Sequence, residues 1–313
     1  MKKQILEEKL FCCEFKSEIS YAEFINELLA ATDLHCCVQT NIDTNDTTYT
    51  AYSDSESEIN KIESFLINKI NEWKDYDVKC TNPTIFDIKK EDWTEVWKRY
   101  FKIQKITPNL VIKASWLEYD RVGDEKIIEI DPGMSFGTGS HETTQFCMKA
   151  IESLAKTDYS SLIDAGCGSG VLTIAAKMFG FKPIYAFDYD EDSIESSKDN
   201  FERNSVNLEE IDICAADIAE YEPHRTFDIV IANIISQILT KNSEKLLSWI
   251  RPGGCLVLAG ILRTEYDKFR NLFITNDTVE IFSHTERDWT GGVFYKKLHK
   301  DDNRTFNIFN NFE

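Results

Sequence analysis

Two rhythms of apolar and polar positions divide the chain. In roughly the first eighty residues, short strand-like runs flank segments of helical spacing. "QILEEKLFCCEF" has strand-like content, "SYAEFINELLAAT" sets Phe24, Leu28 and Leu29 at helical intervals, "LHCCVQTNI" and "TTYTAYS" read as strands, and "SEINKIESFLINKINEW" reads as a second amphipathic helix. A last strand is expected near "DVKCTN". From residue 162 the rhythm changes to apolar runs at "SLIDAG", "PIYAFDYD", "IDICAAD", "FDIVIANI" and "CLVLAGI", most of them followed by helical segments such as "DSIESSKDNFERN" and "SQILTKNSEKLLSWI". Between the two, "TNPTIFDIKKEDW" carries a proline and a charged run, the mark of a boundary. "EDWTEVWKRYF" then spaces Trp93, Val96, Trp97, Tyr100 and Phe101 as one face of a short helix, and "NLVIKASW" with "KIIEIDPG" looks like a hairpin.

These orders imply an architecture. The sequence β-α-β-β-α-β at the start predicts a small α+β sandwich of ferredoxin-like type. Strands separated by helices predict a mostly parallel sheet covered on both faces, of Rossmann-like α/β class, with "TVEIFSHTERD" and "GGVFYKK" closing one edge as an antiparallel hairpin. The expected division is residues 1–85 for the first domain, 86–105 for a linker with the aromatic helix, and 106–313 for the α/β domain.

Composition narrows the setting. A 313-residue chain with 42% hydrophobic and 28% charged residues is that of a folded protein with room for two cores. In the opening "MKKQILEEKLFCC", Glu7 and Glu8 interrupt the apolar core a secretory signal needs, and no apolar run approaches bilayer length, so a cytoplasmic location without membrane attachment is expected. The nine cysteines form no C-x-x-C and the five histidines are scattered, so free thiols and no metal site are expected. A net charge of −19 repels phosphate backbones and attracts basic partners, although acidity also serves solubility.

Candidate chemistry concentrates in "LIDAGCGSGVLTIAAKMFG", residues 162–180, where a strand meets a helix through Gly166, Gly168 and Gly170. In open α/β sheets ligands lie beyond the carboxyl ends of the strands, near the point where strand order reverses. The G-x-G-x-G spacing misses the dinucleotide fingerprint by one residue, and no basic side chain nearby favours a phosphate. S-adenosylmethionine is the better fit, because glycines admit the ligand against the backbone. Asp188 ends the second strand, where a carboxylate takes ribose hydroxyls in either kind of site, Asp217 follows the third strand, suited to an adenine amino group, and Asn233 ends the fourth, where the reacting group would sit. Each has a bland alternative: Asp188 as a helix cap, Asn233 as the start of a turn.

"DAGCGSGVLTIAA", "DYDEDSIESSKDNFERN" and "FDIVIANI" resemble the class I methyltransferases, and "DPGMSFGTGSHETT" with "EDWTEVWKRYFKI" is similar to the ribosomal protein L11 methyltransferase (PrmA) family. The resemblance spans most of the chain. It implies S-adenosylmethionine-dependent methylation of lysine or N-terminal amines on ribosomal protein L11, by a monomer without direct nucleic-acid contact. Thr144, Gly166, Asp188 and Asn233 match the family's cofactor-contacting positions, with Phe136, Gly168 and Asp217 as further contacts. His141 is expected to be bonded within its loop, not to act as a base. Asn233 is the expected catalytic residue, orienting the amine without taking its proton, and the first domain is expected to recognise the substrate. Departures from the family are Ser236 after Asn233-Ile234-Ile235 and Ser140-His141-Glu142 in the loop. Rival readings are another protein-lysine methyltransferase, of the electron-transfer flavoprotein type, a noncatalytic cofactor-binding adaptor, and a dinucleotide oxidoreductase.

Overall fold

The computed structural model describes residues 9–312 apart from 31, 33, 35, 42, 43, 75–77, 90–101, 132–138, 140, 303 and 305. The chain divides into two compact units, Met1–Phe101 and Lys102–Glu313.

The first unit runs β1 (Lys9–Glu18), α1 (Ala22–Ala30), β2 (Cys37–Asn41), β3 (Asp46–Ser53), α2 (Glu56–Trp73) and β4 (Thr84–Lys89). Its strands form one antiparallel sheet in the order β2-β3-β1-β4, the ferredoxin-like arrangement. Alternate residues of a strand point to opposite faces, so Cys13 and Phe15 of β1 join Tyr49 of β3 in the core. Ile25 and Leu29 of α1 and Ile59, Leu66, Ile70 and Trp73 of α2 complete it, and Phe15 stacks on Tyr49 with ring centroids 4.7 Å apart. The last strand lies later than "DVKCTN": Cys80 makes only an isolated bridge to Ser17, and the ladder to β1 begins after Pro83, which has no N–H to donate. The expected boundary at residue 85 therefore falls inside β4. The aromatic segment from Trp93 to Phe101 lies outside the described residues.

The second unit opens with β5 (Gln104–Thr107), β6 (Leu110–Lys113) and β7 (Lys126–Glu129) in one small sheet. Here the expected hairpin is corrected. β6 pairs antiparallel with β5 but parallel with β7, because residues 114–125 are long enough to carry the chain back to the starting end.

The main sheet is built by β8 (Leu162–Ala165), β9 (Ile184–Asp188), β10 (Ile211–Ala215), β11 (Phe227–Asn233), β12 (Ile250–Leu262), β13 (Thr278–Glu286) and β14 (Trp289–Lys296), in the order β10-β9-β8-β11-β12-β14-β13. β8 to β12 are parallel, and β14 runs antiparallel between β12 and β13. The helices are α3 (Glu142–Leu154), α4 (Val171–Met178), α5 (Glu191–Arg203), α6 (Ser236–Lys241), α7 (Ser243–Trp249) and α8 (Tyr266–Arg270). Burial on both faces explains the unbroken apolar runs. In β11, Ile229 and Ile231 enter the core layer with Met148, Ile151 and Ile174, whereas Val230 and Ala232 enter the opposite layer with Leu239, Leu246 and Trp249. The chain builds outward from β8 to β10 and then crosses to β11 on the other side of β8. That reversal opens a crevice at the carboxyl ends of β8 and β11.

Candidate active site

The turn after β8 is shaped by its glycines. Gly166, at φ +81°, occupies the left-handed region, and a Cβ there would come within 2.5 Å of Ile234 Cγ2. Gly170, at φ +75°, precedes α4, and its Cβ would meet the Phe201 ring at 2.7 Å and Ser197 Oγ at 2.9 Å. Only glycine satisfies both the dihedral and the space. The turn is clamped from β9 and α5: Gly166 N and Cys167 N donate to Phe187 O, Gly168 N donates to Asp188 Oδ2 (2.9 Å), and Ser197 Oγ donates to Gly168 O (2.8 Å).

Asp188 is 8% exposed and its carboxylate is fixed on one side by the backbone, accepting from Gly168 N and, through Oδ1, from Asp190 N at 3.1 Å. The helix-cap alternative goes to its neighbour, since Asp190 Oδ1 accepts from Asp192 N at the start of α5. A carboxylate offers about four lone-pair positions, so Asp188 keeps acceptor capacity toward the crevice. Across the reversal, Asn233 Nδ2 donates to Thr144 Oγ1 of α3 at 3.2 Å.

These elements enclose a cleft of about 580 Å³, within the range of small-molecule and cofactor sites. Gly166, Gly168, Asp188 and Asn233 all line it. Two expected contacts do not. Thr144, on α3, is 1% exposed and accepts the Asn233 hydrogen bond, and it is not among the lining residues. Asp217 is exposed, follows edge strand β10 and accepts from Ala219 N (2.8 Å), closing a local turn. Phe136 lies outside the described residues. His141 caps α3, its Nδ1 2.8 Å from Thr143 Oγ1, and its ring meets the edge of Trp289 at 5.1 Å.

The cleft also has walls that local motifs do not flag. Ile234, Ile235 and Ile238 follow Asn233, Tyr189 follows Asp188 at 80% exposure, and Trp289 arrives from the start of β14. One side is backbone amides and carboxylate; the other is mostly apolar, with the Asn233 amide and, from the start of α3, His141 and Thr143. That division suits a polar ligand held at the glycine turn and an uncharged group presented beside Asn233. A Cβ-free cradle at Gly166 and Gly168, next to a braced acid, fits S-adenosylmethionine.

Beneath the turn, burial pushes the Asp164 carboxyl up to about 7, with the Thr173 hydroxyl opposing and the Asp188 charge adding to the rise. The Cys167 thiol is raised well above its ordinary value, first by burial and then by the Asp164 charge, which keeps it unreactive. Among the described residues, no cluster of three or more His, Cys, Asp or Glu is placed to hold a metal, and no helix is long and apolar enough to cross a membrane.

The family model described as "Ribosomal protein L11 methyltransferase (PrmA)" matches residues 22–297. A ribosomal protein L11 methyltransferase of Thermoanaerobacter pseudethanolicus is 37% identical over 221 residues, 69% of this chain and 68% of that protein. One of Streptococcus equi subsp. zooepidemicus is 32% identical over 251 residues, 80% of this chain and 78% of that protein. The crystal structure of a ribosomal protein L11 methylase from Lactobacillus delbrueckii subsp. bulgaricus superposes with a TM-score of 0.57 at 28% identity, covering 62% of this chain and 98% of that one.

Proposed function

The chain belongs to the ribosomal protein L11 methyltransferase family, and from that membership we propose that it transfers methyl groups from S-adenosylmethionine to amines of ribosomal protein L11. The observation that carries the site assignment is the convergence of Gly166, Gly168, Asp188 and Asn233 on one cleft at the sheet reversal.

S-adenosylmethionine supplies an electrophilic methyl on a cationic sulfur. Gly166 and Gly168 let the ligand lie against the backbone, and Asp188 takes the ribose hydroxyls with the lone pairs that Gly168 N and Asp190 N leave open. Methyl transfer is an in-line displacement, so most of the catalytic task is holding the nucleophile in the right place. A lysine amine, with an ordinary pKa of about 10.4, must shed a proton before it attacks, and the apolar side formed by Ile234, Ile235, Ile238 and Trp289 favours the neutral form. Asn233 then orients that amine: with Nδ2 committed to Thr144, its carbonyl oxygen accepts an amine N–H and supports the charge that grows on nitrogen. No side chain need act as a base if the amine arrives neutral.

The first unit, on this reading, recognises the protein substrate, and the net charge of −19 favours encounter with a basic partner. The test is intact-mass analysis of purified ribosomal protein L11 after incubation with the enzyme and S-adenosylmethionine, with Asn233→Ala alongside. Successive additions of methyl mass that the variant fails to make are expected. An unmodified L11 despite cofactor binding refutes the substrate, and a variant with near-normal turnover refutes the role of Asn233.

A further inference from the structure

The family match ends at residue 297, yet the chain continues and folds back onto the second unit. Asp302, 6% exposed, turns the tail by accepting from Tyr295 Oη (2.6 Å) and Leu298 N (3.0 Å). Three phenylalanines then anchor it. Phe306 packs on Tyr295 at 4.9 Å, Phe309 stacks on Phe282 at 4.6 Å, and Phe312 meets Phe282 at 4.6 Å and Phe146 at 5.3 Å. Asn311 ties the end to α3, donating to Lys149 O (2.9 Å) and accepting from Ser153 Oγ (2.6 Å).

This attachment reaches the cleft. Thr143 and Trp289 line the 580 Å³ cleft and also a small, partly open gap beside it, which Phe146 and Phe312 line as well. Through that gap the tail stands beside the cleft wall, and Phe312 reaches α3 directly where its ring meets Phe146. Phe146 in turn lies on β14 so closely that a Cβ at Gly291 would run into its ring. Thr144, next in the same turn of α3, carries the hydrogen bond to Asn233.

We propose that Phe312, held by Asn311, is a positioning residue for the acceptor side of the cleft: it backs the wall of Thr143 and Trp289 and keeps the first turn of α3 in register with Asn233. The glycine turn and Asp188 stand on β8 and β9, so the tail acts on the placement of the amine and not on the grip on the cofactor. What the cleft holds rests on the functional reading above; the mechanical link does not.

The test uses the full chain with Phe312→Ala, Phe312→Leu and Asn311→Ala. Hydrogen exchange is followed at the amides of Thr144 and Gln145, both bonded to His141 O, with the amides of β9 as reference. Phe312→Ala should speed exchange at that first turn at least tenfold while β9 stays within twofold, leave S-adenosylmethionine affinity within threefold, and lower kcat on L11 at least tenfold. Phe312→Leu should restore most of both. Unchanged exchange at Thr144 and Gln145, or a rise spread evenly over the unit as in general loss of stability, overturns the proposal, as does parent-level kcat in Phe312→Ala. If the exchange response appears but the unsubstituted chain never methylates L11, the tail keeps its role and the substrate assignment falls.

Discussion

Asp164 gives the sharpest quantitative handle on the site. It sits in β8 at 0% exposure, with Oδ2 accepting from Thr173 Oγ1 at 2.8 Å and Oδ1 without a hydrogen-bond partner. Burial moves its pKa from the ordinary 3.8 to about 7. An acid raised in this way keeps its proton longer in the folded than in the unfolded chain. It therefore subtracts stability as pH climbs from 3.8 toward 7, and by a constant amount above that. The full penalty is on the order of 4 kcal/mol, and by linkage more than half of it accumulates between roughly pH 5 and pH 8. Asp164→Asn keeps the acceptor for Thr173 and abolishes the titration. In a unit the size of Lys102–Glu313, 1 kcal/mol corresponds to about 2–4 °C in Tm, so the variant's Tm relative to the parent should rise by about 5–10 °C on going from pH 5 to pH 8. Thermal unfolding of both proteins without cofactor at the two pH values reads this directly. A difference between variant and parent that is the same at both pH values, or one that shrinks with pH, would refute the reasoning.

Other expectations follow from the same geometry. Asp188→Ala should weaken S-adenosylmethionine binding by about 1–3 kcal/mol through the lost charge-assisted bonds, measured by calorimetric titration, and an unchanged Kd would place the ribose elsewhere. Asp228 is 5% exposed; burial works to raise its pKa, but bonds from Ser161, Arg251 and Ser160 hold it down at about 2. Its contribution is present above the ordinary 3.8 and lost as pH falls through about 2, and Asp228→Ala should cost about 3–5 kcal/mol at neutral pH, read by urea unfolding. Removing residues 1–101 should abolish L11 modification and spare cofactor binding; retained modification would end the recognition role of the first unit.

The sequence signals that proved legible were those carried locally. Continuous apolar runs marked β8, β9, β11 and β12 because both faces of these strands are buried, and the turn between Glu286 and Trp289 marked the closing hairpin. β4 was hidden because "TIFDIK" mixes alternation with charge directly after a proline. The parallel partner of β6 was hidden because pairing is decided by where the chain returns, which no local pattern states. In the site, Asp188 and Asp217 look equivalent as acids at strand ends, and they differ in that Asp188 lines the cleft from β9 whereas Asp217 follows the edge strand β10 and is not among its lining residues. Trp289 was invisible for a related reason: it becomes a wall only because β14 inserts between β12 and β13.

The cleft's two sides come from segments far apart in the chain, around Gly166 to Asp188 and around Asn233. The complete cleft exists as a binding surface only once β11 has docked along β8, pairing Ile231 with Asp164. Ligand affinity is thus tied to closure of the sheet's central seam, and a ligand at 100 times its Kd should deepen the folded basin of this unit by about 2.7 kcal/mol. The cofactor is then a folding partner as well as a reagent, and the Tm of this unit should rise with S-adenosylmethionine concentration.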